Sequence, residues 1–496
     1  MPRPLLTDEQ RTAVVVRSPR TFIEANPGSG KTTVAAERFG FIRFEQRAAG
    51  SQATTAVSFT RSATSELHRR IHGRWGSSAL SWPHGVTTID TLVFSIVQHL
   101  LRTGRIHWPG GHIALQVLDD WRGHQGFRWL PAGSYRRNCT VNANRTVTST
   151  GVPVQNARFG FGNRAAFEQH LASGRCTHED VRAVLSSALR VPDLRNLVSA
   201  YIASSIHHLI VDEVFDANRL DLFIVALACN THINVTLVGD PWQALYGFRG
   251  ANPELVPALI RDGHFQTLPL THSFRFRTPQ MRALAESLRG RAPVILAAGG
   301  PYDVVLASNW DTLWNGPDNV LPLSFGRTTN RTDAAAIVLL DHIVHAKFAQ
   351  RTIFLPEALL LLDLDPEAYQ MQGPTVLGNV VDILVRPGGG PPVALQALRQ
   401  AVIQLGGARR PRAGGAESEQ RQIDRLGALA RRVRAGDVVP GMTIHQAKGR
   451  EWNQVGVRLT DGEVGILGGG LDPAVESNRA LYVALTRARN AVTLIN

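Results

Sequence analysis

Residues 21–33 read TFIEANPGSGKTT. Residues 21–24 are short and β-prone, and the run VAAERFGFIRFE at 34–45 is compatible with a helix. Strand, glycine-containing turn and helix, in that order, are the setting of a phosphate-binding loop and imply an α/β fold. Gly28 and Gly30, flanking Ser29, let backbone N–H groups turn inward on a β-phosphate. The helix N-terminus adds its positive end. Lys31 is placed to reach the β- and γ-phosphates and the Thr32 hydroxyl to hold Mg²⁺, with Thr33 completing the loop. The general pattern opens on Gly six residues before the Lys, and here Ala25 stands there. By itself the loop says nucleotide phosphate and little more.

A second segment, HHLIVDEVFD at 207–216, carries acids. Its apolar run 209–211 predicts a buried parallel strand ending in Asp212 and Glu213. That end of a strand is where α/β sheets place ligands. Asp212 is expected to bind Mg²⁺ through water, and Glu213 to accept a proton from an attacking water.

The 496 residues suffice for several lobes with their own cores. A net charge of +13 points to a polyanionic partner, and equally to an arginine-biased composition. Of the 53 basic residues only Lys31, Lys347 and Lys448 are lysines, so a lysine marks a place where a compact ammonium matters. Cys139, Cys176 and Cys229 are scattered, which indicates neither a disulfide framework nor a zinc site. The N-terminus has no apolar stretch of the signal-peptide kind, and the run ALLLLDLD after Glu357 is too short and acidic to span a bilayer. A cytoplasmic protein without a membrane partner is expected.

Further segments, in order, resemble the UvrD/Rep-like superfamily 1 DNA helicases. LLTDEQ (5–10) resembles the adenine-reading segment, with Gln10 at the glutamine position. TAVSFTRSATSELHRRI (55–71), with Phe59 and Thr60, and TTIDT (87–91), with Thr88, resemble DNA-contacting segments. VTLVGDPWQALYGFRGA (235–251) is the most diagnostic. The resemblance puts Gln243 on the γ-phosphate sensor, Tyr246 and Phe248 on base-stacking aromatics, and Arg249 on the strand. Stacking of that kind grips a single strand without reading its sequence. LTHSFRF (270–276) places Phe274 on adenine and Arg275 on the γ-phosphate. MTIHQAKGREW (442–452) matches a further motif, including Lys448, and supplies His445 for DNA and Glu451 for nucleotide. ESNRALYVALTRAR (476–489) supplies Arg487 as a second arginine finger. Asp472-Pro473 reads as the N-cap and first residue of that last helix.

The resemblance implies two RecA-like parallel-sheet lobes with a mainly helical subdomain inserted in each. Residues 1–102 and 205–268 would form the first lobe, and 269–346 and 437–496 the second. Residues 103–204 and 347–436 would be the insertions. The first insertion contains WRGHQGFRWLPAGSYRR (121–137), which reads as a secondary DNA surface or, equally, a solvated basic face. RPGGGPP (386–392) and GGARRPRAGGAES (406–418) read as loops or linkers. The implied activity is an ATP- and Mg²⁺-dependent helicase or translocase on single-stranded DNA and duplex junctions. It would move 3′ to 5′ and hydrolyse ATP at the seam between lobes. The alternative is a DNA-stimulated ATPase subunit regulating a partner nuclease, on a similarity in size and motif style to Gabija-type antiviral defence systems. Four departures stand out. Asn26 replaces Gly, and Ser273 replaces Asn. Phe215 removes a polar group near the γ-phosphate, and Asp90 replaces His, turning an acid toward a phosphate backbone.

Overall fold

A computed structural model describes residues 5–45, 52–119, 129–130, 135–153, 160–161, 164–247, 250–326, 328, 330–387, 390–408, 410–412 and 415–495. The chain divides into two units, Met1–Phe274 and Arg275–Asn496.

The first unit runs α1 (Asp8–Val15), β1 (Arg20–Ala25), α2 (Lys31–Glu45), β2 (Ala53–Ser58), α3 (Arg61–Trp75), β3 (Gly85–Thr88) and α4 (Ile89–Arg102). After the inserted segment come β4 (Ile206–Val211), α8 (Arg219–Cys229), β5 (Asn234–Gly239), α9 (Val256–Asp262) and β6 (Gln266–Leu270). The strands form one six-stranded sheet in the order β6-β1-β5-β4-β2-β3, every pair parallel. Alternation decides which residue faces which layer. Phe22, Val57, Leu209, Val211, Val235 and Leu237 face one core shared with α4 and α8. Ile23, Ala56, Ile210 and Val238 face the other, shared with α1, α2 and α3. A parallel sheet covered on both faces explains why its strands read as near-continuous apolar runs.

The inserted segment holds α5 (Arg164–Ala172), α6 (His178–Ala188) and α7 (Pro192–Ser205). It also holds an antiparallel pair, Tyr135–Val141 with Val147–Pro153, and a parallel pair, Gln116–Leu118 with Arg175–Thr177. Most of 121–137, with its interleaved aromatics and arginines, lies outside the described residues.

The second unit begins with α10 (Pro279–Arg289), β7 (Val304–Ala307), α11 (Trp310–Trp314), β8 (Val320–Pro322) and α12 (Arg331–Phe348). Four helices follow: α13 (Leu355–Leu362), α14 (Pro366–Val385), α15 (Pro391–Gln404) and α16 (Ala416–Ala435). It closes with β9 (Val439–Thr443), α17 (Ile444–Ala447), β10 (Trp452–Val457), α18 (Asp461–Gly469), α19 (Glu476–Leu485) and β11 (Ala488–Leu494). Its five strands, in the order β8-β9-β7-β10-β11, are again all parallel. Two sequence expectations need correction. The 386–392 and 406–418 stretches are not all loop, because α15 starts at Pro391 and α16 has started by Ala416. Asp472 does not cap α19, whose N-cap is Val475; its carboxylate accepts the Ala474 N–H at 3.0 Å in a turn ahead of the helix.

Among the described residues no helix is long and apolar enough to cross a membrane.

Each unit contains a fully buried arginine that ties a helix to its neighbours through carbonyls. Arg38 on α2 donates to Ala13 O, Val14 O and Val16 O at 2.9, 3.1 and 3.0 Å, and to the Thr236 and Thr21 hydroxyls. It thereby fastens the C-terminal end of α1 to the helix that follows the phosphate loop. Burial pushes its guanidinium down to about 10, which still leaves it charged at neutral pH. Arg432 on α16 likewise donates to Val320 O at 2.7 Å and Trp314 O at 2.8 Å, with its guanidinium over the Trp314 ring. Replacing Arg38 by Leu strands several buried acceptors and should lower stability by about 3 kcal/mol. Urea denaturation followed by circular dichroism checks this, and an unchanged midpoint would contradict it.

Candidate nucleotide and nucleic-acid site

The strand ends set the site. Glu24 pairs with Gly239 and Ala25 with Leu270, so the segments leaving β1, β5 and β6 emerge at one level of the carboxyl edge. Ala25 is completely buried, in the packed end of β1. The loop turns through Gly28 (φ +72°) and Gly30 (φ +83°), left-handed conformations that favour glycine. A Cβ on Gly30 would also stand 2.8 Å from Gln10 Nε2. Gln10 is buried and donates from Nε2 to Ser29 O at 2.9 Å, while its Oε1 accepts the Thr7 N–H in a capping box. The Ser29 hydroxyl is buried without a hydrogen-bond partner. Lys31 opens α2, followed by Thr32 and Thr33; the Thr33 hydroxyl accepts from Arg70 of α3 at 2.7 Å.

The acids leave β4 on the same edge. Asp212 is buried and accepts the Glu213 N–H at 3.0 Å, and Glu213 takes a left-handed conformation (φ +57°). Glu213 Oε1 stands 3.6 Å from Lys31 Nζ. Burial, reinforced by the adjacent Glu213 charge, pushes the Asp212 carboxyl up to about 7 despite Lys31. Gln243 lies in the turn after β5, buried, its Nε2 donating to Asp240 Oδ2 at 2.6 Å. Asp240 also accepts the Trp242 N–H, so it fixes the turn and the glutamine together. Asp240 was not singled out from sequence, although it directly precedes the Pro-Trp-Gln turn.

Phe215, where the sequence leaves a polar group missing, has its ring in the apolar core. Its ring is buried edge-on against Phe22, centroids 6.2 Å apart, and fills space left by Gly239, where a Cβ would come within 2.8 Å of it. Residue 215 is therefore core.

The candidate DNA contacts of the first unit lie at the ends of β2, β3 and β5. Phe59 packs partly against the core, and Thr60 and Thr88 cap α3 and α4, accepting Ala63 N–H and Thr91 N–H. Tyr246 is half-buried; Phe248 and Arg249 lie outside the described residues. Asp90 does depart from expectation. Its carboxylate pairs with Arg182 Nε at 2.5 Å, and Arg182 NH1 pairs with the buried Asp221 at 2.8 Å. Burial alone would lower the Arg182 pKa, but Asp221 and Asp90 outweigh it and raise it. The acid is paired internally with a residue 92 positions away, a partner no local spacing reveals.

Phe274 lies in the first unit, rather than in the second lobe to which its motif assigned it. The structure keeps β6 in the first sheet and hydrogen-bonds residues 271–274 to the phosphate loop, through bonds such as Phe274 N–H to Gly28 O at 2.9 Å. In the second unit Arg275 Nε donates to Glu451 Oε2 at 2.8 Å and its NH1 to Thr486 O at 2.8 Å. Glu451 also pairs with Arg489. Burial alone would raise the Glu451 pKa, but hydrogen bonds from Arg489 and Arg275 hold it below the usual carboxylate range. Arg487 is buried, donating from Nε to Val483 O at 3.1 Å. His445 sits half-buried on α17, and Lys448 caps that helix.

Residues 6–116 and 160–263 match the model of the UvrD/REP helicase N-terminal domain, and 426–496 that of the UvrD-like helicase C-terminal domain. A probable DNA helicase of Mycoplasma pneumoniae is 25% identical over 288 residues, 52% of this chain and 50% of that protein. The ATP-dependent DNA helicase srs2 of Schizosaccharomyces pombe is 25% identical over 309 residues, 55% of this chain and 33% of that protein. DNA helicase II of Haemophilus influenzae is 25% identical over 286 residues, 54% of this chain and 38% of that protein. The chain thus spans half or less of the length of these relatives.

The Asp90–Arg182 pairing makes a prediction. If Asp90 repelled a DNA backbone, Asp90→Asn would tighten single-stranded DNA binding. The pairing instead predicts affinity within about twofold of the unaltered chain and a stability loss of about 1 kcal/mol. Fluorescence anisotropy with a labelled oligonucleotide, beside urea denaturation, checks both; a clear gain in affinity would contradict it.

Proposed function

This chain belongs to the UvrD/REP helicase family, and we propose that it is an ATP-driven motor that moves on single-stranded DNA. The observation that carries the reading is the gathering of Lys31, Asp212, Glu213 and Gln243 at one edge of one parallel sheet, with Lys31 Nζ 3.6 Å from Glu213 Oε1. Lys31 and the loop N–H groups would take the β- and γ-phosphates of ATP. Thr32 and Asp212 would hold Mg²⁺, which supplies charge neutralisation on the phosphates. The donor set fits a dication: a buried carboxylate beside a second acid is destabilised by its own charge, and a bound cation reverses that balance. Glu213 would orient and deprotonate the attacking water, with Gln243 beside the γ-phosphate.

Arg275 and Arg487 of the second unit would add positive charge to the transferring phosphoryl group at the seam between lobes. Both already have partners, Arg275 on Glu451 and Arg487 on Val483 O, so recruiting either exchanges an existing hydrogen bond for phosphate. The similarity to DNA helicases supports DNA as the track. Tyr246, Phe248, Arg249 and His445, with Phe59, Thr60 and Thr88, are the residues proposed to meet it. Movement 3′ to 5′ in the cytoplasm extends the same reading from the family resemblance.

ATP turnover by the purified chain, with and without single-stranded DNA, tests the proposal. DNA should stimulate the unaltered chain, and Lys31→Ala and Glu213→Gln should each cut turnover by about a hundredfold or more. Hydrolysis indifferent to DNA would sink the motor reading.

A further inference from the structure

Residues 270–274 lie along the phosphate loop and are fastened to it at successive positions. Asn26 N–H donates to Leu270 O at 3.0 Å, and Phe274 N–H to Gly28 O at 2.9 Å. Between these backbone bonds come two from side chains: Asn26 Nδ2 to Thr271 O at 3.2 Å, and Ser273 Oγ to Pro27 O at 2.7 Å. From the other side Glu9 of α1 accepts both the Thr271 N–H, at 2.8 Å, and the Thr271 hydroxyl, at 2.6 Å. The two loop-facing side chains are those at which the sequence departs from the family pattern, Asn for Gly and Ser for Asn. The fastened segment ends in Phe274, whose ring is 53% exposed and stands edge-on to His272 with centroids 4.7 Å apart. A large aromatic left half in water, on a backbone pinned beside a phosphate loop, is a surface prepared for a flat ligand.

We propose that Asn26, Ser273 and Glu9 are positioning residues that latch the 271–274 segment to the phosphate loop and hold Phe274 as a preformed platform for the nucleotide base. This rests on the ATP-binding reading above and adds what fixes the base side of the site. None of the three needs to touch the nucleotide. They act by fixing the platform before binding, so that less ordering is charged to the binding step. The phosphate side has further fastenings of its own, the glycine conformations and Gln10 on Ser29 O. The two halves of the site are therefore separable by ligand.

Inorganic tripolyphosphate, which has phosphates and no base, separates them. Ser273→Ala should raise the KM for ATP about fivefold, with kcat within about twofold. The inhibition constant of tripolyphosphate against ATP hydrolysis should stay as in the unaltered chain. Ser273→Thr, which keeps the hydroxyl, should restore the KM, and Asn26→Ala should reproduce the Ser273→Ala pattern. An unchanged KM in both Ser273→Ala and Asn26→Ala overturns the latch, as does a parallel weakening of ATP and tripolyphosphate. Failure of the unaltered chain to bind ATP overturns the nucleotide reading itself, so the two failures are distinguishable.

Discussion

The parallel register of β1 against β5 and β6 is the constraint from which the site follows. Because Glu24 lies beside Gly239 and Ala25 beside Leu270, three separate stretches of sequence leave the sheet at one height. Those stretches are the phosphate loop, the turn of Gln243 and the segment of Phe274. The pairing of β4 with β5 brings Asp212 and Glu213 to the same edge. A shift of one residue in any of these pairings would turn every buried side chain of that strand to the wrong face. The hydrophobic cores on the two faces therefore hold the chemistry in place although no core residue takes part in it. Arg38 extends that hold to α1, and so to Gln10, by binding the carbonyls at the end of that helix.

Much of this was legible in the sequence because its signals are local. A β-prone run, two glycines and a helix-compatible stretch mark β1, the loop and α2 within a few turns of chain. An apolar run ending in two acids marks β4. The rest depended on partners far away in sequence. Asp90 looked like a charge facing DNA because Arg182, its partner, lies in another helix with no spacing to announce it. Phe215 does replace a polar group, but the space its ring fills, created by the absent side chain of Gly239 beside the ring of Phe22, has no local signal. Asn26 and Ser273 looked like two unrelated departures and lie instead on the same contact between loop and segment. Asp472 illustrates a simpler limit: Asp-Pro suits a helix start, but here it makes a turn three residues earlier.

The second unit shows the same logic in its charges. Glu451 lies between Arg275 and Arg489, and Arg487 spends its Nε on a backbone carbonyl, so the arginines proposed to reach phosphate are already engaged. Charge held in this way is preorganised, since each guanidinium is oriented before a ligand arrives. It also sets a threshold, because only a strong anion competes with a carboxylate for Arg275. Under the proposed function, a triphosphate would meet that condition better than a diphosphate.

Movement along a strand is tested most directly by phosphate release from single turnovers on DNA of increasing length. Chains pre-bound to oligothymidylates of graded length are mixed with ATP and a trap that prevents rebinding. A motor releases phosphate in an amplitude that grows with strand length, because each chain hydrolyses ATP until it runs off the end. An amplitude independent of length would contradict the account, since hydrolysis would then be triggered by DNA without travel along it.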